Sequence, residues 1–99
     1  MDMNKKGYDV IHDSSKRRFF IRLHDEEAVV RYLIEGDRLL ITSTYTPPEH
    51  RGKGIAAQLL ENIVEYARRE GYRIVPICSY AVYFFQKRSE YRDVLADVK

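Results

Sequence analysis

The chain has 99 residues, of which 44% are hydrophobic and 32% are charged. This length suffices for one compact domain over residues 1–99 and leaves no room for a second core of similar size. Its 17 basic and 15 acidic residues give a formal net charge of +2, which argues against a nucleic-acid partner because such proteins present strongly basic surfaces. A single cysteine excludes an internal disulfide and favours a reducing, cytoplasmic location.

Membrane and metal partners are not expected either. No apolar run approaches the roughly 20 residues that a membrane-spanning helix needs, and the first ten residues lack the apolar core of a signal peptide. The three histidines, His12, His24 and His50, show no metal-ligand spacing among themselves or with Cys78. We therefore expect no metal, and surface or capping roles for these histidines.

The first half of the chain has the pattern of strands joined by polar turns. Apolar residues alternate with a period of two from Arg18 to Leu23, and β-branched residues dominate the next apolar run. Gly36 can supply the positive φ that a hairpin turn needs, and Asp13-Ser14-Ser15-Lys16 is the predicted first turn. The predicted strands are Tyr8–His12, Arg18–Leu23, Ala28–Ile34 and Arg38–Thr46. Together they predict an antiparallel meander.

The hydrophobic period changes after the double proline Pro47-Pro48, which ends the fourth strand because proline has no amide hydrogen for the ladder. Apolar residues then recur every fourth position, at Ile55, Leu59, Ile63 and Ala67. This spacing predicts an amphipathic helix of about five turns. Gly71 is its predicted left-handed C-terminal cap.

The segment Tyr72–Ile77 follows this helix and predicts a strand that returns parallel to the strand before the loop. Pro76 cannot donate an amide hydrogen, so we expect this strand to lie at an edge or to separate from its neighbour there. Ser79 is the predicted N-cap of a second helix that runs to about Lys87. Residues 89–99 carry a weak helical pattern.

The loop Arg51-Gly52-Lys53-Gly54-Ile55-Ala56 precedes the long helix. The first amides of a helix have no partner within it, and the helix dipole adds partial positive charge at that end. An anion therefore fits there. Gly52 and Gly54 let the backbone approach a phosphate, while Arg51 and Lys53 add positive charge. The pattern predicts a diphosphate-binding loop; a solvated basic turn is the alternative.

This loop resembles the R/Q-x-x-G-x-G/A signature of the GNAT superfamily of acetyl-CoA-dependent N-acetyltransferases, and the proline-containing segment Pro48-Glu49-His50 precedes it. With the later segment Pro76-Ile77-Cys78-Ser79-Tyr80, residues 8–95 resemble a minimal GNAT-like family of about this length. The resemblance implies an α+β fold in which an antiparallel meander leads into a strand–loop–helix–strand unit. In that fold two parallel strands diverge and a C-terminal helix follows.

The resemblance also implies acetyl-CoA as cosubstrate and an amine, on a small molecule or a protein, as acceptor. Amides of the loop would hold the pyrophosphate, and backbone around Tyr45 and Thr46 would meet the pantetheine arm where the parallel strands diverge. The chain is expected to act as a monomer or a weak dimer. The cofactor-binding residues implied are Tyr45, Thr46, Arg51, Gly52, Lys53, Gly54, Ile55 and Ala56.

Catalysis has a different candidate from that of typical superfamily members, which offer a Glu base near the strand before the loop and a Tyr acid on the later helix. Here that strand offers Thr42, Thr44 and Thr46, and Phe85 stands where the Tyr is expected. Cys78 lies at the start of the second helix, where a thiol ionises more readily. We predict that Cys78 accepts the acetyl group or transfers a proton; a buried cysteine that only packs is the alternative.

The second helix carries an aromatic cluster of Tyr80, Tyr83, Phe84 and Phe85. Such a cluster most often signifies core packing, although Tyr80 is placed to reach the cleft.

The leading functional hypothesis is an N-acetyltransferase. The alternative is a coenzyme A-binding module with little or no catalysis, which the missing Glu and Tyr favour. A nucleic-acid-binding protein is disfavoured by the nearly balanced charge.

Overall fold

The computed structural model of the chain describes residues 8–96 and contains one mixed sheet with two α-helices. Its strands are β1 (Ile11–Asp13), β2 (Arg18–Leu23), β3 (Glu26–Glu35), β4 (Arg38–Tyr45) and β5 (Arg73–Pro76). Its helices are α1 (Ile55–Glu70) and α2 (Ser79–Lys87), with short 3₁₀ helices at Pro48–His50 and Ser89–Val94. None of the helices within residues 8–96 has the length and apolarity needed to cross a membrane.

The five strands lie side by side in the order in which they occur along the chain. The first four pair antiparallel, and β5 pairs parallel with β4. This arrangement confirms the predicted α+β class, the meander and the parallel return. A bulge between Arg31 and Tyr32 shifts the β3–β4 register, so that Arg31 lies opposite Ser43 and Tyr32 opposite Ile41.

The helix α1 buries the face that the sequence period predicts. Its apolar side chains join those of α2 and of alternate strand residues in one core cluster. Gly71 has φ +80°, and the amides of Gly71 and Tyr72 both donate to the carbonyl of Ala67. The predicted left-handed cap is therefore confirmed, and it satisfies the carbonyl end of the helix.

Two strands start more than one residue away from their predicted starts, and the other boundaries that differ do so by one residue. The strand β1 begins at Ile11 instead of Tyr8, because the backbone of Tyr8 exchanges hydrogen bonds with the Gln58 side chain of α1. The strand β3 begins at Glu26, two residues before the predicted start. Glu26 pairs with Leu23 across a tight turn in which His24 has φ +66°. The first two residues of the strand are polar, so the apolar pattern did not predict them.

The N-cap of α2 is Cys78, and the prediction of Ser79 was wrong by one residue. Cys78 is extended and its amide donates to the carbonyl of Ile41, so the helix begins at Ser79, one residue earlier than predicted. The following tail forms a 3₁₀ helix, after which Leu95 makes a parallel bridge to Ile74. Residues 97–99 of the predicted helical tail lie outside the described residues.

His12 does not have the surface or capping role that we predicted. Its ring is half-buried and stacks on Phe19 with a centroid distance of 3.9 Å, and Tyr66 meets its edge at 4.5 Å. A hydrogen bond of 2.5 Å joins its Nε2 to the hydroxyl of Tyr32. Burial lowers the pKa of His12 and raises that of Tyr32. These four rings form an aromatic cluster at the C-terminal end of α1.

Candidate functional site

A cleft of about 390 Å³ lies at the N-terminal end of α1. Its volume falls within the range of about 300–1,000 Å³ that is usual for small-molecule sites. The cleft joins the glycine-containing loop to the end of β4 and the first turn of α2. Its lining residues are Thr44, Tyr45, Thr46, His50, Arg51, Gly52, Gly54, Ile55, Ala56, Ala57 and Tyr80.

The strands β4 and β5 separate beside this cleft. Their pairing ends at Ile41 and Pro76, and the carbonyl of Ile41 accepts hydrogen bonds from the amides of Ile77 at 3.0 Å and Cys78 at 3.1 Å. Residues 43–45 continue β4 but pair only with β3. The structure confirms that the Pro76 strand is an edge strand and that it diverges here. The divergence leaves backbone polar groups of β4 without a strand partner on one side.

The N-terminal end of α1 carries a run of unpartnered amides. The first backbone hydrogen bond of the helix is donated by the amide of Gln58 to the carbonyl of Gly54 at 3.0 Å, and no side chain caps the helix. Among the described residues, the N–H groups of residues 52–57 have no hydrogen-bond acceptor. Free amides at the positive end of a helix dipole are the groups that bind a phosphate.

The glycines of the loop are required by backbone conformation. Gly52 and Gly54 both have φ +81°, a region that residues with a side chain rarely adopt. A Cβ built at either position meets nothing within 4 Å, so crowding by the protein is not the reason for glycine. Both glycines lie on the surface of the cleft, where a side chain would project into open space.

The two basic residues of the loop differ in their surroundings. The Nε of Arg51 donates to the carbonyl of Thr46 at 2.8 Å, which ties the loop to the end of β4. Its amide donates to Pro48 at 3.3 Å and so is not one of the free amides that we expected from residue 51 onward. Lys53 is exposed and does not line the cleft, unlike the other seven residues of the predicted cofactor set.

The candidate catalytic thiol lies directly behind the cleft lining. Cys78 is half-buried, and its Sγ lies 3.3 Å from the hydroxyl of Thr44, which does line the cleft. Phe85 is buried in the core and does not reach the cleft. Tyr80 lines the cleft instead, and burial raises the pKa of its phenol, so at neutral pH it remains a hydrogen-bond donor.

The sequence did not assign the hydroxyl of Thr44 to the cleft, and it gave His50 a surface or capping role. It assigned Tyr80 to core packing but also indicated that this residue is placed to reach the cleft. The adjacency of His50 to the loop was the signal that could have found it. Ligand atoms of His50, Glu26 and Glu49 lie within 4.8 Å of one another at the surface. Exposed carboxylates often approach one another without an ion, and this group by itself does not constitute a metal site.

Comparison with known proteins identifies the family. Residues 18–94 match the model of the GCN5-related N-acetyltransferase family. The chain belongs to this family. The structure resembles the NMR solution structure of a GCN5-like candidate N-acetyltransferase from Staphylococcus aureus, with a TM-score of 0.70 and 23% sequence identity over 93% of this chain and 91% of that chain. At this identity, the likeness establishes the GNAT fold.

GNAT proteins generally use acetyl-CoA, and the cleft fits two parts of that molecule. The free amides of residues 52–57 suit its pyrophosphate. The backbone edge of β4 at residues 43–45 offers groups that can pair with the amides of a pantetheine arm. Residues of both features line the same cleft.

Proposed function

We propose that this GNAT protein binds acetyl-CoA in the cleft and transfers its acetyl group to an amine. One observation carries the proposal: the same cleft borders the free amides in front of α1 and the split between β4 and β5. A linear molecule with phosphates near one end and a thioester at the other matches this layout. Residues 51–56 would hold the pyrophosphate, and Tyr45 and Thr46 would meet the arm.

We further propose that Cys78 participates in the transfer. Bound acetyl-CoA supplies an acetyl group activated as a thioester. In one route the Cys78 thiolate forms a new thioester bond to the acetyl carbon while the original bond breaks and the released thiolate takes up a proton. An acceptor amine then forms the amide bond, releases Cys78 and loses a proton. In the other route Cys78 only transfers the proton.

Substitution of Gly54 tests the binding site. Gly54→Glu adds a side chain and a negative charge at the front of α1, so the affinity for acetyl-CoA measured by calorimetry should fall at least tenfold. Gly36→Glu is the matched control, because Gly36 also has positive φ and open space but lies in the β3–β4 turn. Equal affinities for the two variants would refute the proposed site.

A coenzyme A-binding module with little catalysis is the second candidate. One observation favours it: among the described residues, the cleft lining contains no Asp or Glu that could act as a base. Cys78→Ala separates the two functions. We expect this variant to bind acetyl-CoA with unchanged affinity and to lose turnover with an amine acceptor.

Mass spectrometry distinguishes the two routes for Cys78. A wild-type protein that gains one acetyl group on Cys78 when mixed with acetyl-CoA alone supports the covalent route. Turnover without this adduct, but lost in Cys78→Ala, supports proton transfer. Full turnover of Cys78→Ala would remove Cys78 from the mechanism, and absence of turnover in the wild type with every amine tested would favour the binding module.

A further inference from the structure

Thr44 and Cys78 meet although 34 residues separate them in the chain. The Oγ1 of Thr44 lies 3.3 Å from the Sγ of Cys78, and both side chains are half-buried. Thr44 lines the cleft and Cys78 is the N-cap of α2. The hydroxyl is therefore the group that the cleft presents beside the thiol.

The fold holds both partners in place. Thr44 pairs with Val30, a core residue, so its side chain lies on the face of the sheet that the helices cover. It belongs to the part of β4 that has already separated from β5. Cys78 is held by its own amide, which donates to the carbonyl of Ile41. Two backbone constraints thus set the distance between the hydroxyl and the thiol.

The other threonines at this end of β4 have different partners. The hydroxyl of Thr42 donates to the carbonyl of Arg31 at 3.2 Å, across the bulge between β3 and β4. Thr46 uses its carbonyl to accept the Nε of Arg51. Among the described side chains, Thr44 is the one that hydrogen-bonds to Cys78.

We infer that Thr44 is the positioning residue for Cys78, an inference that rests on the proposed role of this thiol. One hydrogen bond fixes the rotamer of Cys78 and keeps its sulfur directed at the cleft wall. When the thiol is ionised, the hydroxyl donates to the sulfur and stabilises the charged form. When the thiol is protonated, it can donate to the hydroxyl oxygen instead.

The rate of alkylation by iodoacetamide as a function of pH tests this inference. Cys78 is the one cysteine of the chain, so the reaction reports on this thiol alone. Thr44→Val keeps the shape and removes the hydroxyl. We expect this variant to be alkylated roughly tenfold more slowly near neutral pH, because the sulfur loses its hydrogen-bond donor.

Two matched variants complete the test. Thr44→Ser restores a hydroxyl and should return the profile towards that of the wild type. Thr42→Val removes a neighbouring hydroxyl that does not contact the thiol, and its profile should match the wild type. A wild-type profile for Thr44→Val, in a variant shown by thermal melting to be folded, would overturn the inference, as would an equal shift for Thr42→Val.

These outcomes are separable from failure of the proposed function. Alkylation needs neither acetyl-CoA nor an acceptor, so the profile measures the thiol environment directly. Full turnover in Cys78→Ala would reject the proposed role of Cys78 and, with it, the positioning role in catalysis. Loss of turnover in both Cys78→Ala and Thr44→Val, with rescue by Thr44→Ser and unchanged acetyl-CoA affinity, supports both.

Discussion

Glycines of nearly identical backbone conformation flank the two ends of α1, but the hydrogen bonding of the backbone polar groups differs between these ends. At the C-terminal end, Gly71 has φ +80°, and two amides satisfy the carbonyl of Ala67 beside a packed cluster of aromatic rings. At the N-terminal end, Gly54 has φ +81°, yet the amides of residues 52–57 have no acceptor among the described residues, and all of these residues except Lys53 line a cleft.

With the proposed function, this difference would separate stability from ligand binding within one helix. Burial and satisfied hydrogen bonds at the C-terminal end hold the helix on the sheet. Polar groups left free at the N-terminal end stabilise the fold less and are available to a ligand. If this division holds, substitutions at the C-terminal end should change stability alone, and those at the N-terminal end should also change binding.

Phe19→Ala should give the largest effect. Phe19 is 4% exposed and lies within 6 Å of the rings of His12, Tyr32 and Tyr66. Loss of this buried ring should lower the free energy of unfolding by about 3–5 kcal/mol, measured by urea denaturation. The affinity of the folded variant for acetyl-CoA should not change; a parallel loss of affinity would break the division between the two ends.

A pair of glycine substitutions should give an intermediate effect. Gly54→Ala and Gly71→Ala each force a side chain into positive φ without a clash. Each should therefore lower the free energy of unfolding by about 1 kcal/mol. Only Gly54→Ala should also weaken acetyl-CoA binding, because it disturbs the free amides. Calorimetry on both variants checks this, and equal affinities would show that the N-terminal amides do not bind the cofactor.

The smallest effect should be a change in the pH dependence of stability. Burial, with a smaller contribution from Arg69, lowers the pKa of His12 below the usual 6.5, and Asp13 opposes this weakly. The unfolded chain thus binds a proton before the folded one does as pH falls. Protonation of His12 should therefore lower the free energy of unfolding as the pH falls from above 6.5 through the pKa of His12 in the folded state.

Urea denaturation between pH 8 and 5 checks this expectation, with the pH range chosen around the usual histidine pKa of about 6.5. His12→Asn should flatten the dependence relative to the wild type. His24→Asn is the control, because His24 is exposed in the β2–β3 turn and Asn tolerates its positive φ. An unchanged slope in His12→Asn would show that the aromatic cluster does not penalise the charged imidazole.

The sequence by itself determined the features that depend on neighbours along the chain. The alternation in β2, the fourfold recurrence of apolar residues in α1 and the positive φ of Gly71 follow from local periodicity and steric limits. Pro76 predicted the divergence of β5 because its missing amide is a property of the residue itself. The free amides in front of α1 also follow from local features, namely the helix start and the glycines of the loop.

Only the tertiary structure decided which distant residues meet. The contact of Thr44 with Cys78 depends on the bulge in β4 and on the carbonyl of Ile41, and neither leaves a periodic signal. His12 enters an aromatic cluster because β1 lies beside β2 and near the end of α1. Such contacts join segments far apart in the chain, and local propensity carries no information about which segments the sheet brings together.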